Sequence, residues 1–167
     1  MFIQELLQAL GVAKVRYCIV GGVAVNLHGV PRMTYDLDLV VVPEVADLRE
    51  TEAVLVKLGL KARIPVSLQD FADREHRERM REERNLIAVT FTDPGNPLRE
   101  VDVLVAPPLD PVEILERSVV LSLSGTEVRI ASIDDLIAMK RASGRPQDSD
   151  DVAHLERLRR GRPDGRR

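Results

Sequence analysis

The sequence predicts an α/β domain in which helices flank a mixed, mostly antiparallel sheet. Two pairs of β-like runs support this prediction, because a short turn joins the members of each pair. Asn85–Thr92 pairs in this way with Leu98–Ala106, and Val119–Leu123 with Glu127–Ile130. Stretches with the helical spacing of apolar residues lie between and around these runs, so helices and strands share one core.

The remaining elements follow from apolar periodicity and from the residues that start and stop helices. Met1–Leu10 has apolar residues at helical spacing, and Gly11 is expected to end that helix. The other predicted elements are a strand over Val15–Val20, a short helix over Val23–His28, a strand over Asp36–Val42, an amphipathic helix over Glu44–Leu58, an extended piece over Leu60–Val66, a helix over Leu68–Arg84 with Ser67 as N-cap, a short helix over Val112–Arg117, a helix from Ser132 to about Gly144, and a last helix over Asp148–Arg160.

Length and composition indicate one soluble globular domain. The chain has 167 residues, of which 44% are hydrophobic and 31% charged. We expect this domain to span residues 1–160, with a disordered polar tail over residues 161–167. A net charge of -3 and an aromatic content of 3% argue against a general binder of polyanions or of single-stranded nucleic acid.

Several functional classes are disfavoured by the residues that the chain lacks. The single cysteine, Cys18, lies in an apolar run and is expected to be a core residue without a disulfide partner. A cytoplasmic location fits this cysteine usage, and we expect no signal peptide and no membrane span. No zinc-ligand spacing, Ser-His-Asp arrangement or Walker-type glycine loop is present in the sequence.

Two glycines follow the first buried strand and predict a phosphate-binding turn. Gly21 and Gly22 end an apolar run, and without a Cβ their backbone is able to turn sharply and approach a ligand closely. The unpaired N–H groups of a helix starting at Val23 would point toward that turn. Arg32 and Thr34, on the loop that follows, are expected to reach the same phosphate groups.

Three aspartates predict a metal site. Asp36 and Asp38 share one face of a strand, because residues two apart point the same way, and their mutual repulsion would be relieved by a divalent cation. Asp102 interrupts the β-like run Leu98–Ala106 in the same manner. Magnesium prefers carboxylate oxygens together with substrate phosphates, so the three acids predict a site able to hold two Mg²⁺ ions.

The pattern of glycines and acids resembles the nucleotidyltransferases of the DNA polymerase beta superfamily. The segment from Gly21 to Asp38 reads Gly-Gly-x-Ala…His-Gly-x-x-Arg-x-Thr-x-Asp-x-Asp, which is similar to small bacterial members. These include the toxins of type IV toxin–antitoxin systems and the antibiotic nucleotidyltransferases. Many members carry a serine after the glycine pair. Val23 stands at that position here, so phosphate binding would depend more on backbone N–H groups and on cations.

The resemblance implies roles for further residues. Asp36, Asp38 and Asp102 would be catalytic and would hold the metal ions, while Gly21, Gly22, Arg32, Thr34 and Lys140 would bind the nucleotide. Lys140 opens a segment similar to one found in these enzymes, in which an ion pair between Arg145 and Asp148 is expected. A second metal site at Asp150, Asp151 and His154 is not expected, because neighbouring side chains on a helix diverge.

The implied function is metal-dependent nucleotidyl transfer. A nucleoside triphosphate would donate its nucleoside monophosphate to an acceptor, which is a tRNA, a protein or a small molecule, and pyrophosphate would leave. A cognate antitoxin or toxin is the expected protein partner, and no membrane is involved. The alternative is a non-catalytic module that binds a nucleotide or a partner, in a regulatory or antitoxin-like role.

Overall fold

Helices and strands alternate through most of the computed structural model, which describes residues 2–146 and 148–161. The helices within this part of the chain are α1 (Phe2–Val12), α2 (Gly21–Leu27), α3 (Val45–Lys57), α4 (Arg74–Arg84), α5 (Pro111–Glu116), α6 (Ile133–Ser143) and α7 (Asp148–Gly161), with a 3₁₀-helix over Leu68–Ala72.

The strands form one mixed sheet with the order β3-β4-β5-β2-β1-β7-β6. Four of the strand pairs are antiparallel, whereas β2 runs parallel to β5 and β1 runs parallel to β7. The prediction of a mixed, mostly antiparallel sheet is therefore confirmed, together with both hairpins. The strands are β1 (Tyr17–Val20), β2 (Asp36–Val41), β3 (Lys61–Ala62), β4 (Ala88–Asp93), β5 (Asn96–Leu104), β6 (Val119–Leu123) and β7 (Thr126–Ile130).

The central strands present an apolar face and a polar face. On β2, Leu37 and Leu39 are fully buried and pair in register with Val101 and Val103 of β5. The intervening residue Asp38 pairs with Asp102, so these two acids lie side by side on the opposite face. The alternation predicted from the sequence is thus the feature that places carboxylates next to each other above a packed core.

The first helix and the helix predicted over Leu68–Arg84 differ from the sequence prediction. The first helix continues through Gly11 to Val12, because the left-handed residue that ends it is Lys14, with φ = 56°, and not Gly11. The predicted helix over Leu68–Arg84 is two elements, since Asp73 leaves the helical conformation and accepts a hydrogen bond from the backbone N–H of His76. Ser67 makes no side-chain cap and instead donates its hydroxyl to Glu52.

The C-terminal helices agree with the prediction more closely. Ser132 caps α6 by accepting a hydrogen bond from the backbone N–H of Asp135, and α6 ends at Gly144, which adopts φ = 63°. Helix α7 includes Gly161, one residue of the predicted tail, and the rest of that tail, residues 162–167, lies outside the described residues. Within the described part of the chain, no helix combines the length and apolarity needed to cross a membrane.

Candidate active site

The three predicted metal ligands come together on the polar face of the sheet. Each of Asp36, Asp38 and Asp102 offers a carboxylate oxygen, and these three oxygens lie within 4.8 Å of one another. The pairing of β2 with β5 produces this cluster, because Asp38 and Asp102 are direct partners and Asp36 is one pleat away. None of the three forms an ion pair with a described residue.

The carboxylates of this acidic triad are poorly satisfied by the protein. Burial raises the pKa of Asp38 to about 7, and the charges of Asp36 and Asp102 add to that effect. The backbone N–H of Gly22 donates to Asp38, which opposes the rise without cancelling it. Oδ1 of Asp102 is buried and has no hydrogen-bond partner among the described residues. A buried acceptor left in this state is unfavourable unless a ligand satisfies it.

A divalent cation fits the triad. Three carboxylates offer hard oxygens in close proximity, and Oδ1 of Asp102 has no hydrogen-bond partner in the described part of the chain. Such oxygens are the donors that magnesium prefers. A bound cation would also offset the repulsion from Asp36 and Asp102, which adds to burial in raising the pKa of Asp38. Asp36, Asp38 and Asp102 are therefore the residues that would hold a metal ion here.

The glycine pair lies directly against the triad, and it starts α2 rather than preceding it. Gly21 has φ = 61°, and a Cβ built on it would lie 1.9 Å from Oδ2 of Asp38. A Cβ on Gly22 would lie 2.5 Å from the hydroxyl oxygen of Thr34 and 3.1 Å from Cζ of Arg32. The glycines are thus required, first of all, to make room for the side chains of the site itself.

Val23, which follows the glycine pair, is partly buried and packs against the hydrophobic core. Its isopropyl group provides no hydroxyl for a ligand, so it contributes packing only. The polar side chains that a Cβ on Gly22 would meet are instead those of Thr34 and Arg32. The hydroxyl of Thr34 donates to Oδ1 of Asp36 at 2.8 Å, and Nη1 of Arg32 donates to Oδ2 of Asp151 at 2.6 Å.

Lys140 is buried at the junction of α6 and α7, where acids surround it. Its side chain is 9% exposed, and Nζ lies 2.8 Å from Oδ1 of Asp148 and 2.7 Å from Oδ2 of Asp151. The expected pair between Arg145 and Asp148 is also present, at 3.4 Å. Although these acids already pair with it, Lys140 lines the same cavity as the triad. Its assignment to nucleotide binding stays a prediction.

A cavity of about 530 Å³ joins all of these groups. This volume falls within the roughly 300–1,000 Å³ of small-molecule sites. The polar part of its lining includes the triad, the glycine pair and the cations Lys140 and Arg145 of the α6–α7 junction. The apolar part of the lining consists of Ile87, Ala88, Leu104, Ala106, Pro108, Leu136 and Met139.

Two further residues of this cavity region were not predicted from the sequence. Arg81 of α4 lines the cavity and is exposed, and it has no carboxylate partner within residues 2–146 and 148–161. Asp151, which contacts Arg32 and Lys140, was considered only as part of an improbable metal site. The spacing of three residues between Asp148 and Asp151 on α7 is visible in the sequence, but nothing local indicates that Lys140 or Arg32 joins them.

The chain matches a known family over nearly its whole length. The family model of the nucleotidyl transferase AbiEii toxin, from type IV toxin–antitoxin systems, matches residues 6–162. A search of curated proteins finds no significant match.

Solved structures of nucleotidyltransferases share the fold. The solution structure of the antibiotic-resistance factor ANT(2'')-Ia is 19% identical, with a TM-score of 0.58, over 94% of this chain and 80% of that chain. A crystal structure of ANT(2'')-Ia in complex with adenylyl-2''-tobramycin is 17% identical, with a TM-score of 0.57, over 94% and 92%. An antigenic nucleotidyltransferase-like protein from Paracoccidioides brasiliensis is 18% identical, with a TM-score of 0.50, over 93% and 75%. Because these structures are less than 20% identical to this chain, the similarity concerns the fold alone, and it agrees with the predicted polymerase-beta-like fold.

Proposed function

Because the chain belongs to the family of AbiEii nucleotidyl transferase toxins of type IV toxin–antitoxin systems, we propose that it is a magnesium-dependent enzyme that transfers a nucleoside monophosphate from a nucleoside triphosphate to an acceptor hydroxyl. The observation that carries this proposal is the acidic triad. Three carboxylates without a cationic partner among the described residues face a ligand-sized cavity. Such an arrangement is unfavourable in isolation and favourable with a metal ion and a triphosphate.

The polar part of the cavity lining suits the triphosphate. Gly21 and Gly22 leave the backbone accessible beside the triad, and Arg32 and Lys140 supply positive charge. Thr34 holds Asp36 through its hydroxyl and thereby helps to orient a metal ligand. The apolar part of the lining, made of aliphatic side chains, suits the nucleoside.

The chemistry is an in-line displacement at the α-phosphorus. The acceptor oxygen forms a bond to that phosphorus as its hydroxyl proton departs, and the bond to the bridging oxygen breaks to release pyrophosphate. Asp102 accepts that proton, because its Oδ1 lies at the site without a hydrogen-bond partner among the described residues. When bound, Mg²⁺ supplies charge neutralisation at the phosphates and lowers the pKa of the attacking hydroxyl.

The acceptor is identified by following the label. The purified enzyme is incubated with each α-³²P-labelled nucleoside triphosphate and magnesium in a cell lysate, and RNA, protein and small-molecule fractions are separated. We expect label in one fraction with the wild type and none with Asp102→Asn. Absence of transfer from all four nucleotides would contradict the proposed reaction.

A non-catalytic role is distinguishable by calorimetry. Val23, in place of the serine common in similar sequences, is the observation that favours nucleotide binding without transfer. That alternative gains if the nucleotide binds with magnesium and no fraction becomes labelled. A cognate antitoxin remains the expected protein partner, and co-purification with the product of a neighbouring gene would identify it.

A further inference from the structure

Asp151 connects two cations that belong to different segments of the chain. Its side chain is 11% exposed, and one oxygen, Oδ2, lies 2.6 Å from Nη1 of Arg32 and 2.7 Å from Nζ of Lys140. Arg32 belongs to the loop before β2, whereas Lys140 belongs to α6. The carboxylate therefore joins the loop, α6 and α7 at a single point.

Arg32 is held from two further sides. Its backbone N–H donates to Oδ1 of Asn26 at 2.9 Å, which anchors the loop to the end of α2. Its guanidinium lies against Gly22, where a Cβ would come within 3.1 Å of Cζ. With Asp151 on the remaining side, the guanidinium is fixed beside the glycine pair and the triad.

Fixing this guanidinium matters for ligand binding. A free arginine side chain has about 2 kcal/mol of rotamer entropy, which is lost when a ligand immobilises it. A guanidinium already held in place loses less entropy and presents its N–H groups in a defined direction. Arg32 has only 28% of its side chain exposed, and it lines the cavity at the proposed phosphate end.

We propose that Asp151 is a positioning residue for nucleotide binding, which holds Arg32 at the phosphate end of the cavity. This inference rests on the proposed function, because it assumes that the triphosphate lies beside Gly22. Asp151 acts through Arg32 and does not contact the nucleotide. Lys140 depends less on Asp151, since it keeps Asp148 as a partner at 2.8 Å.

Charge and position predict opposite effects for the loss of this carboxylate. A negative charge near a triphosphate repels it, so charge alone predicts that Asp151→Asn binds the triphosphate more tightly. Positioning predicts weaker binding, because Arg32 becomes free to rotate away. Loss of an orienting partner typically weakens binding by roughly tenfold or more. The sign of the change therefore separates the two effects.

The experiment measures the affinity of full-length protein for inorganic tripolyphosphate with magnesium, by calorimetry. This probe has no base, so the result does not depend on which nucleotide the enzyme uses. We expect Asp151→Asn to bind about tenfold more weakly and Asp150→Asn to bind like the wild type. Asp150 is the matched control, because it is the exposed neighbour on α7 and undergoes the same change of charge.

A double-mutant cycle distinguishes positioning from general destabilisation. If Asp151 acts through Arg32, then adding Asp151→Asn to Arg32→Gln weakens binding little further. A purely structural role predicts that the two losses add. Asp151→Glu keeps the charge and shifts the carboxylate by one methylene group, so it should weaken binding as well. This variant replaces Asp151→Asn in the experiment if Asp151→Asn does not fold.

The outcomes separate this inference from the proposed function. If the wild type binds neither tripolyphosphate nor any nucleoside triphosphate, the proposed function fails. If the wild type binds and Asp151→Asn binds equally or more tightly, the positioning role alone is overturned. Additive losses in the cycle would also overturn it.

Discussion

Two groups of carboxylates lie at or next to the same cavity, and the protein surrounds one group with cations but not the other. At the α6–α7 junction, Asp148 and Asp151 each contact cationic side chains of the protein at hydrogen-bonding distance. In the acidic triad, Asp36, Asp38 and Asp102 form no ion pair with a described residue. The junction is complete without a ligand, whereas the triad is complete only with a cation from outside.

The pKa values show the same difference. Burial is the largest influence on both Asp38 and Asp148, and it raises the pKa in each case. At Asp148, hydrogen bonds from Lys140 and Ser143 and the charges of Lys140 and Arg145 outweigh burial, so its pKa lies below the usual range. At Asp38, the neighbouring acids add to burial, and its pKa rises to about 7. A buried acid without cations is thus a mark of a binding site, and one with cations is a mark of a structural junction.

The largest expected effect concerns the stability of the metal-free triad. The folded pKa of Asp38, about 7, exceeds the ordinary aspartate value of 3.8, so the folded state favours the protonated form. The wild type should therefore lose stability as the pH rises from about 4 to about 7, by up to about 4 kcal/mol from this group. Asp38→Asn should remove this loss. Urea unfolding without magnesium at pH 4 and pH 8 measures it, with the exposed Asp134→Asn as control.

At the α6–α7 junction, removal of a carboxylate is expected to lower the stability of the protein. Asp148→Ala leaves Arg145 without its partner and Lys140 with only one, inside a buried site. We expect this variant to lose about 3 kcal/mol of unfolding free energy, because the buried Lys140 and the hydroxyl of Ser143 both lose the carboxylate that accepts their hydrogen bonds. Asp150→Ala, an exposed position on the same helix, should change stability little. Equal effects of the two substitutions would show that the junction is not a structural ion-pair network.

Transfer chemistry should depend on Asp102 more than nucleotide binding does. Asp102 reaches the triad from β5, whereas Asp36 and Asp38 lie on β2 next to the glycine pair. Asp102→Asn should reduce single-turnover transfer on the order of 10²-fold, about 2.7 kcal/mol, while nucleotide affinity stays within a few-fold. Glu100→Gln, two residues away on the same strand, is the control. Losses of equal size in affinity and rate would contradict a specific role of Asp102 in activating the acceptor.

The smallest expected effect tests the glycine pair. In Gly22→Ala the new methyl group would press on Thr34 and Arg32, which lie 2.5 and 3.1 Å from its ideal position. Displacement of these side chains should weaken binding of the triphosphate by about tenfold, or 1.4 kcal/mol. Gly11→Ala in α1, where a Cβ meets open space, should leave binding unchanged. Calorimetry with a non-hydrolysable nucleotide checks both variants.

The contrast between the two regions also marks what the sequence is able to predict. The triad was predictable from the alternation of residues along strands. Asp36 and Asp38 alternate with leucines in one apolar run, and Asp102 lies between two valines in another. The sequence also suggested the pair of Arg145 with Asp148, which are three residues apart. These are local patterns, and regular secondary structure carries them into three dimensions.

The remaining features depend on contacts between distant segments. The steric need for Gly21 arises from the carboxylate of Asp38, which local spacing does not reveal. The ion pair of Arg32 with Asp151 spans 119 residues, and Arg81 reaches the cavity only because α4 packs beside it. The predicted helix over Leu68–Arg84 was wrong for a local reason, since Asp73 was not recognised as an N-cap.

The central claim is that the triad, and not the junction, binds a divalent cation. Thermal melting of the wild type, Asp36→Asn and Asp148→Ala, each with and without millimolar magnesium, tests it most directly. A ligand that binds only the folded state raises the melting temperature. We predict that magnesium raises the melting temperature of the wild type and of Asp148→Ala, and leaves that of Asp36→Asn unchanged. An equal magnesium response in Asp36→Asn and the wild type would contradict the claim.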